Sequence, residues 1–277
     1  GVDLRNYRGI HYRRLDHLLG ADGYRDFDNV NYSGGSAVRT KTYSSNLGEL
    51  WNVFRDTDDE EKIDYHNDGF VRWSGVFGQL EYKNDDLSVF VQGAVSNQGF
   101  QREEFFNQTP GNQKTDWKNI SGGNIKGGAN YNIDAKSNVY VNAGTYSKQP
   151  NFDAVYVNYG NNLNADLRNE KVVGLEAGYG YRSNNLNFNV NIYRTSWKDR
   201  FLSDGVRVDG VNGSANYYGI EQVHTGIEFD GVLEISPFVK VEGMLSLGNY
   251  EYGGDVKADV FDSSQQLIGS STIYLDG

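Results

Sequence analysis

Four short polar breaks impose a period on this chain. Lys83-Asn84-Asp85-Asp86, Asn132-Ile133-Asp134-Ala135-Lys136, Arg182-Ser183-Asn184-Asn185 and Ile235-Ser236-Pro237-Phe238 each separate two alternating runs. Their composition is that of tight turns. Centred on Asn84, Asp134, Asn184 and Ser236, they are spaced by 50, 50 and 52 residues. Between them lie long polar excursions at roughly 99–121, 148–169 and 199–216. The repeating unit is therefore strand, long loop, strand, tight turn.

The strands alternate with a period of two, which sends successive side chains to opposite faces. Leu186, Phe188, Val190 and Ile192 share one face, and Asn187, Asn189, Asn191 and Tyr193 the other. Val173, Leu175, Ala177 and Tyr179 oppose Gly174, Glu176, Gly178 and Gly180 in the same way. Strands are expected over 70–82, 86–98, 122–133, 137–147, 170–182, 186–198, 218–235 and 238–252. Soluble strands have a mode of about 5–6 residues. A tilted strand crossing a bilayer needs about 9–11, and these runs reach that length. Short turns at one end, long loops at the other and Tyr82, Tyr131, Tyr179, Tyr181 and Phe238 beside the turns describe a transmembrane barrel with an aromatic girdle. The expected fold is all-β: a large antiparallel transmembrane barrel, of which about nine or ten strands are visible as one arc of a wider whole. A soluble β-propeller of about 50-residue repeats is the competing architecture. It would need four short strands per repeat where this chain has two long ones.

Composition agrees. Gly 34 against Pro 3, with 14% aromatic residues, suits long strands rather than disordered linkers. A net charge of −11 argues against a nucleic-acid partner. The absence of cysteine removes disulfides and thiolate chemistry. A mean hydropathy of −0.64 excludes transmembrane helices but not strands, half of whose residues face water.

One barrel segment is expected over 1–277. Residues 1–69 form a strand end and a long extracellular loop, with a small helix near Arg13–Leu19 capped by Gly20. Residues 70–252 form the hairpins, and 253–277 a further extracellular loop or strand start.

Catalytic signals are poor. His11, His17, His66 and His224 show no metal-ligand spacing. Glu228 with Asp230, and Glu103 with Glu104, read as lumen or loop charges rather than a glycosidase pair. No enzyme activity and no cofactor are expected. In the acidic run, Asp56, Asp58, Asp59 and Glu60 are calcium candidates that lack the spacing of a dedicated loop. Aromatic residues on the long excursions, Trp117, Phe152, Tyr156, Tyr159, Tyr217 and Tyr218, are the candidates for ligand contact, with loop-on-loop packing as the alternative.

Several blocks resemble a known family. Tyr146-Ser147-Lys148, Pro150-Asn151-Phe152, Glu170-Lys171 and Tyr193-Arg194-Thr195-Ser196-Trp197-Lys198-Asp199-Arg200 occur in an order similar to the barrel of TonB-dependent outer-membrane receptors. The opening GVDLRNYRGIHYRRLDHLLGADG and the run YHNDGFVRWSGVFGQLEY resemble its Bacteroidetes-type branch. The resemblance implies a roughly 22-stranded whole barrel and import of a scarce nutrient (siderophore, vitamin, peptide or glycan) across the outer membrane. It implies as partners the membrane lipid, a plug domain, the TonB inner-membrane complex acting through that plug, an extracellular small-molecule or glycan ligand, and a surface lipoprotein. The family's plug and closing C-terminal aromatic are not read in this sequence, so part of a barrel wall is expected. A passive porin or surface adhesin would share such a wall.

Overall fold

In the computed structural model, residues 1–32, 34–41, 57–208, 210–262 and 265–274 are described. The main sheet has eleven strands: β1 (Val2–Arg14), β4 (Lys62–Lys83), β5 (Leu87–Glu104), β6 (Lys118–Asn132), β7 (Ser137–Lys148), β8 (Glu170–Arg182), β9 (Leu186–Val208), β10 (Val211–Ser236), β11 (Val239–Gly253), β12 (Asp255–Phe261) and β13 (Leu267–Tyr274). Each pairs antiparallel with its sequence neighbour in the sheet, β1 joining β4. A separate ribbon of β2 (Tyr24–Asp26) and β3 (Ala37–Arg39) sits in the first loop. The sheet is an open arc, bounded by β1 on one side and by β11 and β13 on the other.

Register defines the two faces. One row runs Tyr82, Val89, Ala129, Val141, Ala177, Ile192, Ile227, Leu247 across eight strands. The next row, on the opposite face, runs Glu81, Phe90, Gly128, Asn142, Glu176, Tyr193, Gly226, Gly248. The first face is apolar and open; Leu80 is 75% exposed and Leu175 54%. A soluble sheet would bury it, whereas lipid solvates it. The second is the polar lumen face.

The tight turns are held by their first polar side chains. Asn84 Oδ1 accepts the N–H groups of Asp86 and Leu87 (3.1 and 2.7 Å), and Asp134 Oδ1 those of Lys136 and Ser137 (2.7 and 2.8 Å). Ser183 Oγ accepts from Leu186 N at 3.1 Å. These two backbone bonds, Lys136 first, hold the exposed Asp134 carboxyl below the usual carboxylate range.

At the loop end the structure departs from expectation. The helix expected near Arg13–Leu19 does not form: β1 continues to Arg14, opposite Lys62, and Gly20 (φ +87°) turns the chain after it. The edge of β4 offers a full ladder of partners, and that outweighs a short helical pattern. The excursion expected over 199–216 is largely strand, because β9 and β10 continue pairing up to a turn at Gly210 (φ +84°). After residue 252 the chain resumes strand. β11 pairs with the turn-proximal half of β10 and β12 with its far half, the break falling at Gly254 (φ +76°) opposite Gly219 (φ +73°). β13 then folds back on β12.

Candidate ligand-binding site

The loop joining β7 to β8 determines what the lumen face presents at its extracellular end. It enters through Gln149, whose Nε2 donates to Ser96 Oγ at 2.7 Å, and forms one helical turn, α1 (Phe152–Val155). Val155 and Tyr156 are buried against Phe100, with Val71, Ile120, Phe152 and Leu167 packed around them. This is a small apolar core on the lumen face, where the phenyl ring of Phe152 covers Gly69. Tyr156 donates to Phe100 O (3.3 Å) and shares a 2.9 Å hydrogen bond with Thr115 Oγ1.

Above this core lies a cavity of about 670 Å³. β4 contributes Tyr65 and Asn67, β5 Arg102 and Glu104, the loop Phe152, Asp153, Asn158 and Tyr159, and β10 Asn212 and Ser214. Asn158 and Tyr159 both have left-handed backbones (φ 58°), which asparagine tolerates and tyrosine adopts at a cost. Neighbours hold them there. Asn158 Oδ1 accepts from Ser214 Oγ (3.1 Å) and Asn216 Nδ2 (2.9 Å), and Tyr159 O accepts from Arg102 Nη2 (2.7 Å). Arg102 also donates to Glu104 Oε2 at 2.8 Å, both side chains being buried. The Tyr159 ring, 67% exposed, stands free at the rim.

The six aromatic candidates therefore divide. Phe152 and Tyr159 line the cavity. Tyr156 is buried beneath it and serves packing, the alternative reading of these rings. Tyr218 lines an adjoining pocket of about 220 Å³ with Asp166 and Lys257 and packs edge-on to Phe201. Tyr217 alternates to the opposite face from Asn216 and Tyr218. Trp117 also lies on the other side of the wall, stacked on Arg72, which shares its face with Val76. Sequence alone reads Glu104 only as a lumen or loop charge beside Glu103, and does not single out Arg102, Tyr65, Asn67 or Asn158. The alternation of Tyr65 with Asn67 and of Arg102 with Glu104 was the available signal for four of them.

Among the described calcium candidates, Asp58, Asp59 and Glu60 do not fall in a group of three or more carboxylates with oxygens close enough to share an ion. Asp56 lies outside the described residues. Asp59 accepts from Lys62 at 2.9 Å, its carboxyl held low by that bond, and Glu60 pairs with Lys41. Asp58 and Asp59 both line a pocket beside His66, where Arg39 and Lys62 are cationic neighbours. The acidic group that does gather is Asp26, Asp28 and Asp64, with oxygens within 4.8 Å. Asp26 accepts from the backbone of Asp28 and Asp64, and Asp64 from Arg13 and Tyr24, whose phenol is pushed up to about 12 mainly by that bond. Protein donors thus satisfy two of the three.

A family model described as TonB dependent receptor-like, beta-barrel, matches residues 1–274. No curated protein matches the chain. Among solved structures, the ferric-catecholate import receptor Fiu from E. coli K12, in its closed form, aligns with a TM-score of 0.53 at 13% identity. The match covers 94% of this chain and 38% of that one, so the chain spans well under half of that receptor's length. At this identity the likeness is one of fold.

Proposed function

The chain belongs to the TonB-dependent receptor-like β-barrel family of the bacterial outer membrane, and from that premise we propose that it is wall and loops of a receptor importing a scarce nutrient. One observation carries the reading: the 670 Å³ cavity opens on the lumen face, floored by the inward-folded β7–β8 loop. A ligand held there sits over the channel, where a plug domain would occupy the lumen and couple to the TonB complex. Siderophore, vitamin, peptide and glycan remain the ligand classes, and a surface lipoprotein a further partner. The barrel does no covalent chemistry; it binds and conducts.

Cells with the complete receptor as their sole uptake route, grown on panels of ferric chelates, cobalamin, peptides and oligosaccharides, test this. Growth on one class should require both TonB and the receptor and fall with Tyr159→Ala. Growth that persists without TonB would make the barrel a passive pore and overturn the reading.

A further inference from the structure

The cavity over the lumen has a charge balance that selects among ligands. The only arginine or lysine among its lining residues is Arg102. That charge is spent within the wall, on Glu104 Oε2 at 2.8 Å and the Tyr159 carbonyl at 2.7 Å. Its Nε has no acceptor but is closed off from solvent, so a ligand does not reach it. Carboxylates are offered instead. Asp153, in the first turn of α1, is exposed and has no hydrogen-bond or ion-pair partner among the described residues. Asp262, which accepts from Gln266 N at 2.9 Å, lines the same cavity.

The rings point to the same sign of ligand. Tyr65 and Tyr159 are both exposed on the cavity lining, beside Phe152. Aromatic faces attract cations and repel anions. Below the cavity the lumen face of β8 and β10 continues the pattern with Glu176, Glu228 and Asp230. Among the described residues none of the three has a cation within ion-pair distance. Asn142 and Asn189 donate to Glu176 and Asp230 instead, at 3.3 and 3.0 Å. Lys126 lines the same pocket as Glu176 without reaching it. A cleft lined by one sign of charge concentrates ligands of the other.

Building on the import reading above, we propose that the ligand held in this cavity carries a protonated amine, with Asp153 as its counter-ion and Tyr65 and Tyr159 as flanking rings. An ammonium has three N–H donors and no acceptor. Asp153 takes one. The carboxamides of Asn67, Asn107 and Asn212, which line the cavity and have no side-chain partners among the described residues, accept the others. A lysine side chain and an amino sugar present this same group, and the site is selective for the charge.

The test uses cells whose sole uptake route is the complete receptor. They are supplied with matched pairs: lysine-rich peptides and the same peptides with every amine acetylated, and glucosamine oligomers and their N-acetylated forms. Growth should occur on the amine-bearing member of one pair and not on its acetylated partner, and the pair that responds identifies the source of the amine. Asp153→Asn should raise the concentration for half-maximal growth about fivefold, the upper end for an exposed ion pair. Asp153→Glu should restore most of that loss. The side chain has no partner in the protein, so neither substitution removes a structural contact. Equal growth on both members of a pair, no growth on any amine, or an unchanged Asp153→Asn would overturn the proposal. TonB-dependent growth on anionic ferric chelates alone would do the same while leaving the import reading intact. Growth that persists without TonB would overturn that reading, and the proposal with it.

Discussion

The ring of Tyr140 on β7 lies over the backbone of Gly178, its register partner on β8; a Cβ at 178 would stand 2.3 Å from the ring carbon that bears the hydroxyl. The same arrangement recurs on the lumen face where Tyr193 faces Gly226. Small residues opposite rings let the aromatics lie along the wall and leave the lumen open.

Gly178→Ala should therefore destabilise the barrel by about 1–3 kcal/mol, the usual cost of overpacking. Combined with Tyr140→Ser, most of that cost should disappear, because the clash needs both partners. Urea unfolding in lipid vesicles measures the cycle; strict additivity would mean the ring moves aside freely.

Val190 and Asn189 are adjacent on β9 and face opposite solvents. Val190 pairs with Tyr179 and Phe229 in the apolar band, whereas Asn189 donates to Asp230 at 3.0 Å on the lumen face. Val190→Arg, a short way into the band from the girdle, should cost about 1–3 kcal/mol, between the interfacial and mid-bilayer values, while Asn189→Arg gains Asp230 as a partner and should be tolerated. Equal stability of the two variants in vesicles would contradict the assignment of faces.

Arg102 and Glu104 form a buried pair in the wall of the cavity, and Glu104 Oε1 also accepts from Phe106 N at 3.3 Å. Arg102→Met strands a buried carboxylate, for which about 3–5 kcal/mol is typical, and frees the carbonyl of Tyr159. The 105–116 loop should become protease-sensitive in the intact receptor. Arg102→Met with Glu104→Gln should recover much of the protection, since neither charge is then left alone.

His66 lies above the band on β4, stacked 4.2 Å from Phe105 with its Nε2 3.2 Å from Lys62 Nζ. Burial first and Lys62 second push the imidazole down to about 4, against the opposing pull of Asp68 and Asp59. A histidine whose folded value lies below its unfolded one binds fewer protons when folded. Its contribution is thus complete above about 6.5 and is lost as pH falls through about 4. Nuclear magnetic resonance of the imidazole should give a midpoint near 4, and His66→Asn should blunt the acid sensitivity of the loop to proteolysis. A midpoint near 6.5 would show the ring to be solvated.

The wall was legible because its rule is local. Alternation follows from the two-residue repeat of extended backbone, so Ile192 and Tyr193 show their faces without reference to any neighbour. Turn residues such as Asn84 and Asp134 act within three positions of themselves, so the period was legible too. The strand extensions beyond 198 and the β1–β4 pairing were less visible. Above the membrane a ladder satisfies backbone groups without demanding apolar residues, so no pattern marks it.

The loop aromatics needed the folded molecule. Phe152, Tyr156, Trp117 and Tyr217 are alike in sequence, yet one lines the cavity, one is buried beneath it and two lie on the far side of the wall. What separates them is contact between distant segments: Asn158 with Ser214, 56 residues on, and Arg102 with the carbonyl of Tyr159, 57 residues on. By itself the sequence determined the wall, its two faces and the turn period, because each rests on backbone geometry within a few residues. Only the tertiary structure decided which side chains meet over the lumen, because that depends on how loops pack across strands, which no local periodicity encodes.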